Sequence, residues 1–259
     1  MVEQNLAESR NQAQGLIMAG QVRKNGEVVI KASESVEPED VITVDAGPQF
    51  VSRGGDKLLG ALNTFNLKDF SGKVCADVGA STGGFTDCLL QHGAAKVYAI
   101  DVGYGILHWK IRQDARVVCM ERINARHLDK LPEAIDFVCV DTSFISLSVL
   151  LPVIRHWLTP QRGELIALIK PQFEAGREIS AKAKGVIRDP GVHRAVLTET
   201  LQMAVNFGYL VKGLTRSPIQ GPKGNKEFLM YCSNKPGEQP DIARLIRQTM
   251  ALPVSAEKN

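Results

Sequence analysis

Apolar residues in this chain fall into short runs separated by amphipathic stretches, and the period of each run predicts an element. Val74–Val78, Lys96–Val102, Ile135–Val140 and Leu165–Lys170 are near-continuous apolar runs of strand length, the pattern of strands buried on both faces. Helix-length segments separate them, and that alternation predicts a parallel α/β sheet. Arg116–Met120 reads as a further strand, Pro190–Phe207 as a long helix, and Tyr209–Thr215 with Glu227–Cys232 as a closing hairpin. The first residues follow a different pattern. Ser9–Gly20 has a Ser cap, helical apolar spacing and a terminal Gly. Val22–Lys31 reads as two strands hinged at Asn25-Gly26, a dipeptide that accepts the positive φ of a type I′ turn. Val41–Val44 adds one more strand. The expected organisation is a small α+β unit over 1–45, a turn-rich linker over 46–56, a parallel α/β domain over 57–235, and a short helix around Ile242–Met250 or a frayed tail within 236–259.

Composition bounds the function. At 259 residues and 44% hydrophobic, the chain can bury one large core and carry an appendage. No apolar run approaches the roughly 18 residues that a membrane-spanning helix needs. Met1 is followed by Glu3, Gln4 and Asn5 rather than by a basic and then apolar leader, so the expected location is the cytoplasm. The five cysteines form no C-x-x-C pair, and no two of His92, His108, His127, His156 and His193 stand at i, i+4; no metal site is expected. Charge is uneven: residues 1–45 hold four basic against eight acidic side chains, −4, so the remainder carries +7 of the net +3. A basic main domain suits a nucleic-acid partner.

The first strand of the sheet runs into Gly79-Ala-Ser-Thr-Gly-Gly-Phe-Thr-Asp87 and then a helix. Glycines at a strand's carboxyl end let backbone approach a nucleotide-type ligand, and the helix N-terminus points at the same crevice. A dinucleotide turn requires G-x-G-x-x-G, whereas here Ser81 stands at the second glycine and the pattern is D-x-G-x-x-x-G-G. Asp77 ahead of the turn suits a cationic ligand end and repels a pyrophosphate. The expected cofactor is therefore S-adenosylmethionine, held by Asp77, Gly79, Ser81, Gly83, Gly84 and Phe85. Asp101, ending the next strand, would accept ribose hydroxyls, and Asn124 after the third would lie near the adenine.

Six segments carry a family resemblance: Ser52-Arg-Gly-Gly-Asp-Lys57, Asp77 to Asp87, Asp101-Val-Gly-Tyr-Gly105, Val140-Asp-Thr-Ser-Phe144, Ile169-Lys-Pro-Gln-Phe-Glu174 and Gly224-Asn-Lys-Glu227. In this order the chain resembles the TlyA family, haemolysin A-like, FtsJ-type ribosomal RNA ribose 2′-O-methyltransferases. The resemblance implies a Rossmann-like methyltransferase sheet and a Lys-Asp-Lys-Glu tetrad at Lys57, Asp141, Lys170 and Glu227, with Lys170 as general base, Lys57 and Asp141 as orienting groups and Glu227 as support. Glu174 is a competitor for the last position. A ribose hydroxyl becomes nucleophilic as its proton leaves, and an ammonium with a reference pKa of about 10.4 cannot take that proton at neutral pH. Burial and a neighbouring cation would both favour the neutral amine that the base requires.

Residues 1–45 resemble an S-four-like RNA-binding module with a shortened start. Its implied phosphate contacts are Arg10, Arg23, Lys24 and Lys31, joined by Arg53 of the main domain. The expected partner is ribosomal RNA or a ribosomal subunit, with no membrane. Alternatives are a small-molecule methyltransferase with the same cofactor, a membrane-acting haemolysin, or an RNA-binding protein with a retired active site.

Overall fold

In the computed structural model, residues 1–45 and 47–252 are described, and the chain divides into two compact units, Met1–Gln49 and a second beginning at Phe50. The first unit holds helix α1 (Arg10–Met18) and strands β1 (Val22–Lys24), β2 (Glu27–Val28) and β3 (Ile42–Val44), with antiparallel order β2-β1-β3. Ser9 caps α1 by accepting from the Gln12 amide. Asn25 and Gly26 take φ of 51° and 89°, the left-handed pair that the hairpin turn demands.

The second unit runs α2 (Gly54–Thr64), β4 (Val74–Val78), α3 (Gly84–Gln91), β5 (Lys96–Ile100), α4 (Trp109–Arg112), β6 (Val117–Met120), β7 (Phe137–Val140), α5 (Leu147–Trp157), β8 (Glu164–Ile169), α6 (Pro171–Glu174), α7 (Arg177–Lys182), α8 (Pro190–Asn206), β9 (Leu210–Arg216), β10 (Phe228–Ser233) and α9 (Ile242–Ala251). The sheet order is β6-β5-β4-β7-β8-β10-β9. The first five of these are parallel, and β10 runs antiparallel to both of its neighbours, β8 and β9, as the alternating runs and the closing hairpin predict.

Every second residue of a strand serves a different core. Ala76, Val78, Tyr98, Ile100, Val138 and Val140 pack with α5, α8 and α9, while Cys75, Val97, Ala99, Phe137 and Cys139 pack with α2 and α3. Both faces are covered, which is why the strands read as unbroken apolar runs. From β4 the chain steps outward to β5 and β6, then returns to β7 on the other side. This reversal opens a crevice at the carboxyl ends of β4 and β7, the place where open α/β sheets bind ligands.

The expected linker is shorter than 46–56. Phe50 is buried, the Val51 amide donates to Asp87 Oδ2 at 2.9 Å, and α2 starts at Gly54. Residues 50–56 therefore belong to the second unit, because their glycines serve helix contacts rather than turns. Lys170, expected as the last residue of a strand, lies one past β8 and caps α6. The expected tail helix forms as α9. Cys75, Cys88, Cys139 and Cys232 are buried and Cys119 is partly so, where they pack as small apolar side chains.

Candidate active site

A cleft of about 320 Å³ opens at the carboxyl ends of β4 and β7; Ser52, Lys57, Gly79, Phe85, Asp141 and Lys170 are among its lining residues. Four charged side chains meet there from four different elements. Lys57 comes from the first turn of α2, Asp141 follows β7, Lys170 follows β8, and Glu227 precedes β10. Lys57 Nζ donates to Glu227 Oε2 at 2.7 Å and lies 3.8 Å from Asp141 Oδ2. Lys170 Nζ stands 2.5 Å from Asp141 Oδ1, outside hydrogen-bond direction, and donates to Ser143 Oγ at 3.3 Å. The pairing is thus a chain, Lys170 to Asp141 to Lys57 to Glu227, with two cations and two anions. It is mostly shielded from water: Lys57 and Lys170 are 8% exposed and Glu227 2%. Burial of this kind requires the ions to satisfy one another.

The sequence reading missed three supports. Gln172 Nε2 donates to Glu227 Oε1 at 3.3 Å, and Ser143 touches the Lys170 amine; each sits inside a family motif, two residues after a tetrad member. Gly221 is the third. A Cβ there would lie 2.2 Å from Glu227 Oε1, so only glycine leaves space for this carboxylate. Glu174, the competitor, accepts from Ser146 Oγ at 2.7 Å and the Leu147 amide at 3.0 Å. It caps the start of α5 and leaves the tetrad to Glu227.

The glycine turn is built as a close approach. Gly79 has φ of 85°, and a Cβ there would meet the Asp141 carbonyl at 2.5 Å; its amide donates to Ile100 O. Gly83 caps α3 at φ 96°. Gly84 faces the other way: a Cβ would strike Ser52 Oγ at 2.3 Å and the Gly55 amide at 2.7 Å, so this glycine lets α2 pack on α3. Asp77 is fully buried, and its Oδ2 accepts from the Thr86 amide at 2.9 Å and Thr86 Oγ1 at 2.7 Å. Oδ1 has no hydrogen-bond donor among the described residues. Burial pushes this carboxyl up to about 7, with the charge of Asp141 adding to the rise and the Thr86 bonds opposing it. Asp101, at the end of β5, accepts from the Ser81 amide at 2.8 Å and the Gly103 amide at 2.7 Å, which fixes its carboxylate at the rim. Asn124 accepts from the Arg126 amide through its side chain and caps a short 3-10 turn.

At the mouth, Phe144 is 92% exposed at φ 66°, its ring 5.0 Å from that of Phe173. An aromatic residue held in the left-handed region and in water is unusual on both counts. Lys170 Nζ lies 5.7 Å from the Phe173 ring centre.

Of the expected phosphate contacts, Arg10, Lys31 and Arg53 are exposed. Arg23 and Lys24 are engaged within their own unit. Arg23 forks onto Asp45 with both bonds at 2.9 Å, and Lys24 pairs with Glu34 at 3.0 Å. The acidic residues after the hairpin fold back onto it, a pairing invisible in the linear order. Among the described residues, no group of three His, Cys, Asp or Glu side chains is gathered as a metal would require, and no helix is long and apolar enough to cross a membrane.

Comparison with known proteins agrees with this geometry. Residues 50–234 match the FtsJ-like methyltransferase model, and residues 1–42 match the S4 domain. YqxC of Bacillus subtilis is 48% identical over 244 residues, covering 92% of this chain and 85% of that protein. The 16S/23S rRNA (cytidine-2'-O)-methyltransferase TlyA of Mycobacterium tuberculosis is 42% identical over 237 residues, 89% of this chain and 87% of that one. A solved structure from Streptococcus thermophilus, described as a candidate hemolysin, superposes with a TM-score of 0.73 at 42% identity, covering 95% of this chain and 91% of its own. With an S4 domain ahead of a methyltransferase sheet, and with relatives this similar along most of its length, the chain belongs to the TlyA group of the FtsJ-like methyltransferase family.

Proposed function

We propose that the protein transfers a methyl group from S-adenosylmethionine to a ribose 2′-hydroxyl of ribosomal RNA, working in the cytoplasm on a ribosomal subunit. The observation that carries this reading is the four-residue charged chain beside the glycine turn, in one cleft at the strand ends. The residues present suit the cofactor. The buried Oδ1 of Asp77, lacking a donor, can receive its ammonium end, and Asp101 stands where ribose hydroxyls would be accepted. When bound, S-adenosylmethionine supplies a methyl on a positively charged sulfur, open to attack by an oxygen in line with it.

The chain's own residues handle the hydroxyl. As general base, Lys170 must give up its own proton before the reaction, and its Nζ then takes the hydroxyl proton as the oxygen attacks. Asp141 keeps a cation throughout, because Lys57 stands on its other oxygen at 3.8 Å. Once Nζ carries the proton, Asp141 Oδ1 at 2.5 Å holds the resulting ammonium. Lys57 is fixed by Glu227, whose second oxygen is tied by Gln172. The exposed ring of Phe144 offers a face on which an unstacked base can rest, the common way in which proteins hold single RNA bases.

The test is transfer of tritiated methyl to unmodified ribosomal subunits, with the labelled nucleotide mapped, for wild type and Lys170→Ala. Ribose label that the variant loses by at least about a hundredfold supports the mechanism. Label on a base, or an unaffected variant, removes it.

A further inference from the structure

Two loops flank Glu227 and are joined to each other by one side chain. Asn225, 3% exposed, accepts from the Ile187 amide through Oδ1 at 3.1 Å and donates through Nδ2 to Gly185 O at 2.9 Å. From the other side, buried His193 contacts Ile187 O through Nε2 at 3.0 Å. The segment after α7 is thereby pinned to the turn that ends in Glu227, and the two loops form one strap.

The strap is basic. Lys182 ends α7, Lys184 and Arg188 lie on the first loop, and Lys223 and Lys226 lie on the second; all are exposed except Lys226, which is partly so. Among the described residues none of the five makes an ion pair. Nearby acids do not neutralise them. Asp189 spends its side chain on the Gly191 amide as the cap of α8 and Glu227 is taken by Lys57, while Glu178, one turn before Lys182 on α7, makes no ion pair with it. Topology puts the strap at the catalytic end of the sheet. The first loop follows β8, and the second leads into β10, whose Phe228 pairs with Ile169 at the carboxyl end of β8.

We propose that Lys182, Lys184, Arg188, Lys223 and Lys226 bind the phosphates of the RNA strand that flanks the acceptor ribose, a reading that rests on the proposed reaction for the identity of the strand. Unpaired, exposed cations on an ordered backbone track phosphates without selecting sequence. Because the Asn225 clip ties them to the turn bearing Glu227, phosphate binding fixes the register of the RNA against the tetrad.

Two readouts separate this surface from the reaction. Filter retention of unmodified subunits at increasing salt measures backbone contact directly, and ribose label measures methyl transfer. The triple variant Lys182→Ala/Lys184→Ala/Arg188→Ala and the double variant Lys223→Ala/Lys226→Ala are compared with a charge-matched control, Lys68→Ala/Lys130→Ala/Lys235→Ala, whose positions lie at the opposite ends of the strands. The strap triple is expected to weaken subunit binding by about tenfold or more, to lower the salt slope by about two to three, and to raise KM for subunits while kcat at saturation stays near wild type. The double is expected to lower the slope by about one to two. Binding and slope equal to wild type in both strap variants, or an equal loss in the control, overturn the proposal. Ribose label with strap-independent binding sinks the surface alone; strap-dependent binding without ribose label sinks the reaction alone.

Discussion

Replacing Gly221 with alanine tests whether the tetrad depends on close packing behind Glu227. The backbone there is ordinary, at φ −70° and ψ 174°, so alanine adds no conformational strain of its own. Its methyl, however, would sit 2.2 Å from Glu227 Oε1 and 2.6 Å from Cδ, against an ordinary contact of 3.4 Å or more. The carboxylate must therefore yield by about 1 Å, and it is confined, with its side chain fully buried and held by Lys57 at 2.7 Å. A displacement of about 1 Å at a catalytic group costs roughly a hundredfold in rate, whereas overpacking costs about 1–3 kcal/mol of stability. The expectation is a folded protein with a slightly lower Tm and kcat reduced about a hundredfold, with KM for subunits little changed. Glu227→Asp shortens the same side chain by one methylene and relieves the clash. Alanine at 221 should therefore add little further loss on top of Glu227→Asp, a non-additivity expected only of residues in contact. Gly221→Ala with kcat within about twofold of wild type, or two losses that simply add, would refute the reasoning.

Three further outcomes follow from the same geometry. Asp77 has its folded pKa raised to about 7, above an unfolded value near 3.9, so the folded state binds the extra proton between these limits; stability contributed by this group is highest below about pH 4 and falls as pH rises toward 7, at about 1.4 kcal/mol per unit. Asp77→Asn should remove that slope in urea titrations taken between about pH 4 and 7, and an unchanged slope would contradict the assignment. Gly84→Ala drives a methyl to 2.3 Å from Ser52 Oγ and 2.7 Å from the Gly55 backbone amide, so thermal melting should show a loss of about 1–3 kcal/mol, and a wild-type Tm would deny that α2 and α3 meet there. Phe144→Gly removes a residue at φ 66° and 92% exposure, so Tm should hold or rise while methyl transfer to subunits falls several-fold; full activity would exclude the ring as a base platform.

Much of the second unit was legible because its strands are covered on both faces, which leaves unbroken apolar runs that periodicity detects. The cleft was legible for a related reason. Asp77, Asp101, Asp141 and Lys170 all stand at or just after the carboxyl ends of parallel strands, so locating the strands locates the residues. What the linear order hid was long-range. Arg23 and Lys24 read as phosphate contacts until Asp45 and Glu34 are folded back against them. The cap that Asn124 makes to the Arg126 amide was hidden as well, a local side-chain-to-backbone bond that no periodicity announces. The Arg53-Gly54-Gly55 start of α2 read as linker because glycine is among the poorest helix formers. Tertiary packing overrides that preference: at Gly55 a Cβ would fall 2.2 Å from the Phe50 ring.

Glu227 shows how the topology completes the site. The other three members of the tetrad arrive on parallel elements or on the helix packed over them, but a fourth residue opposite Lys57 has to come from the far side of β8. If that neighbour were one more parallel strand, the residue preceding it would lie at the amino ends, a strand's length away from the cleft. Because β10 runs antiparallel, with Phe228 beside Ile169 and Ser233 beside Glu164, its first residue reaches the sheet at the catalytic end. The closing hairpin therefore has a chemical consequence as well as a structural one. Because β10 alone runs against the other strands of this sheet, Glu227, its glycine-lined turn and the Asn225 clip come to the same edge as Lys170, which is why a motif near residue 225 can act with one near residue 57.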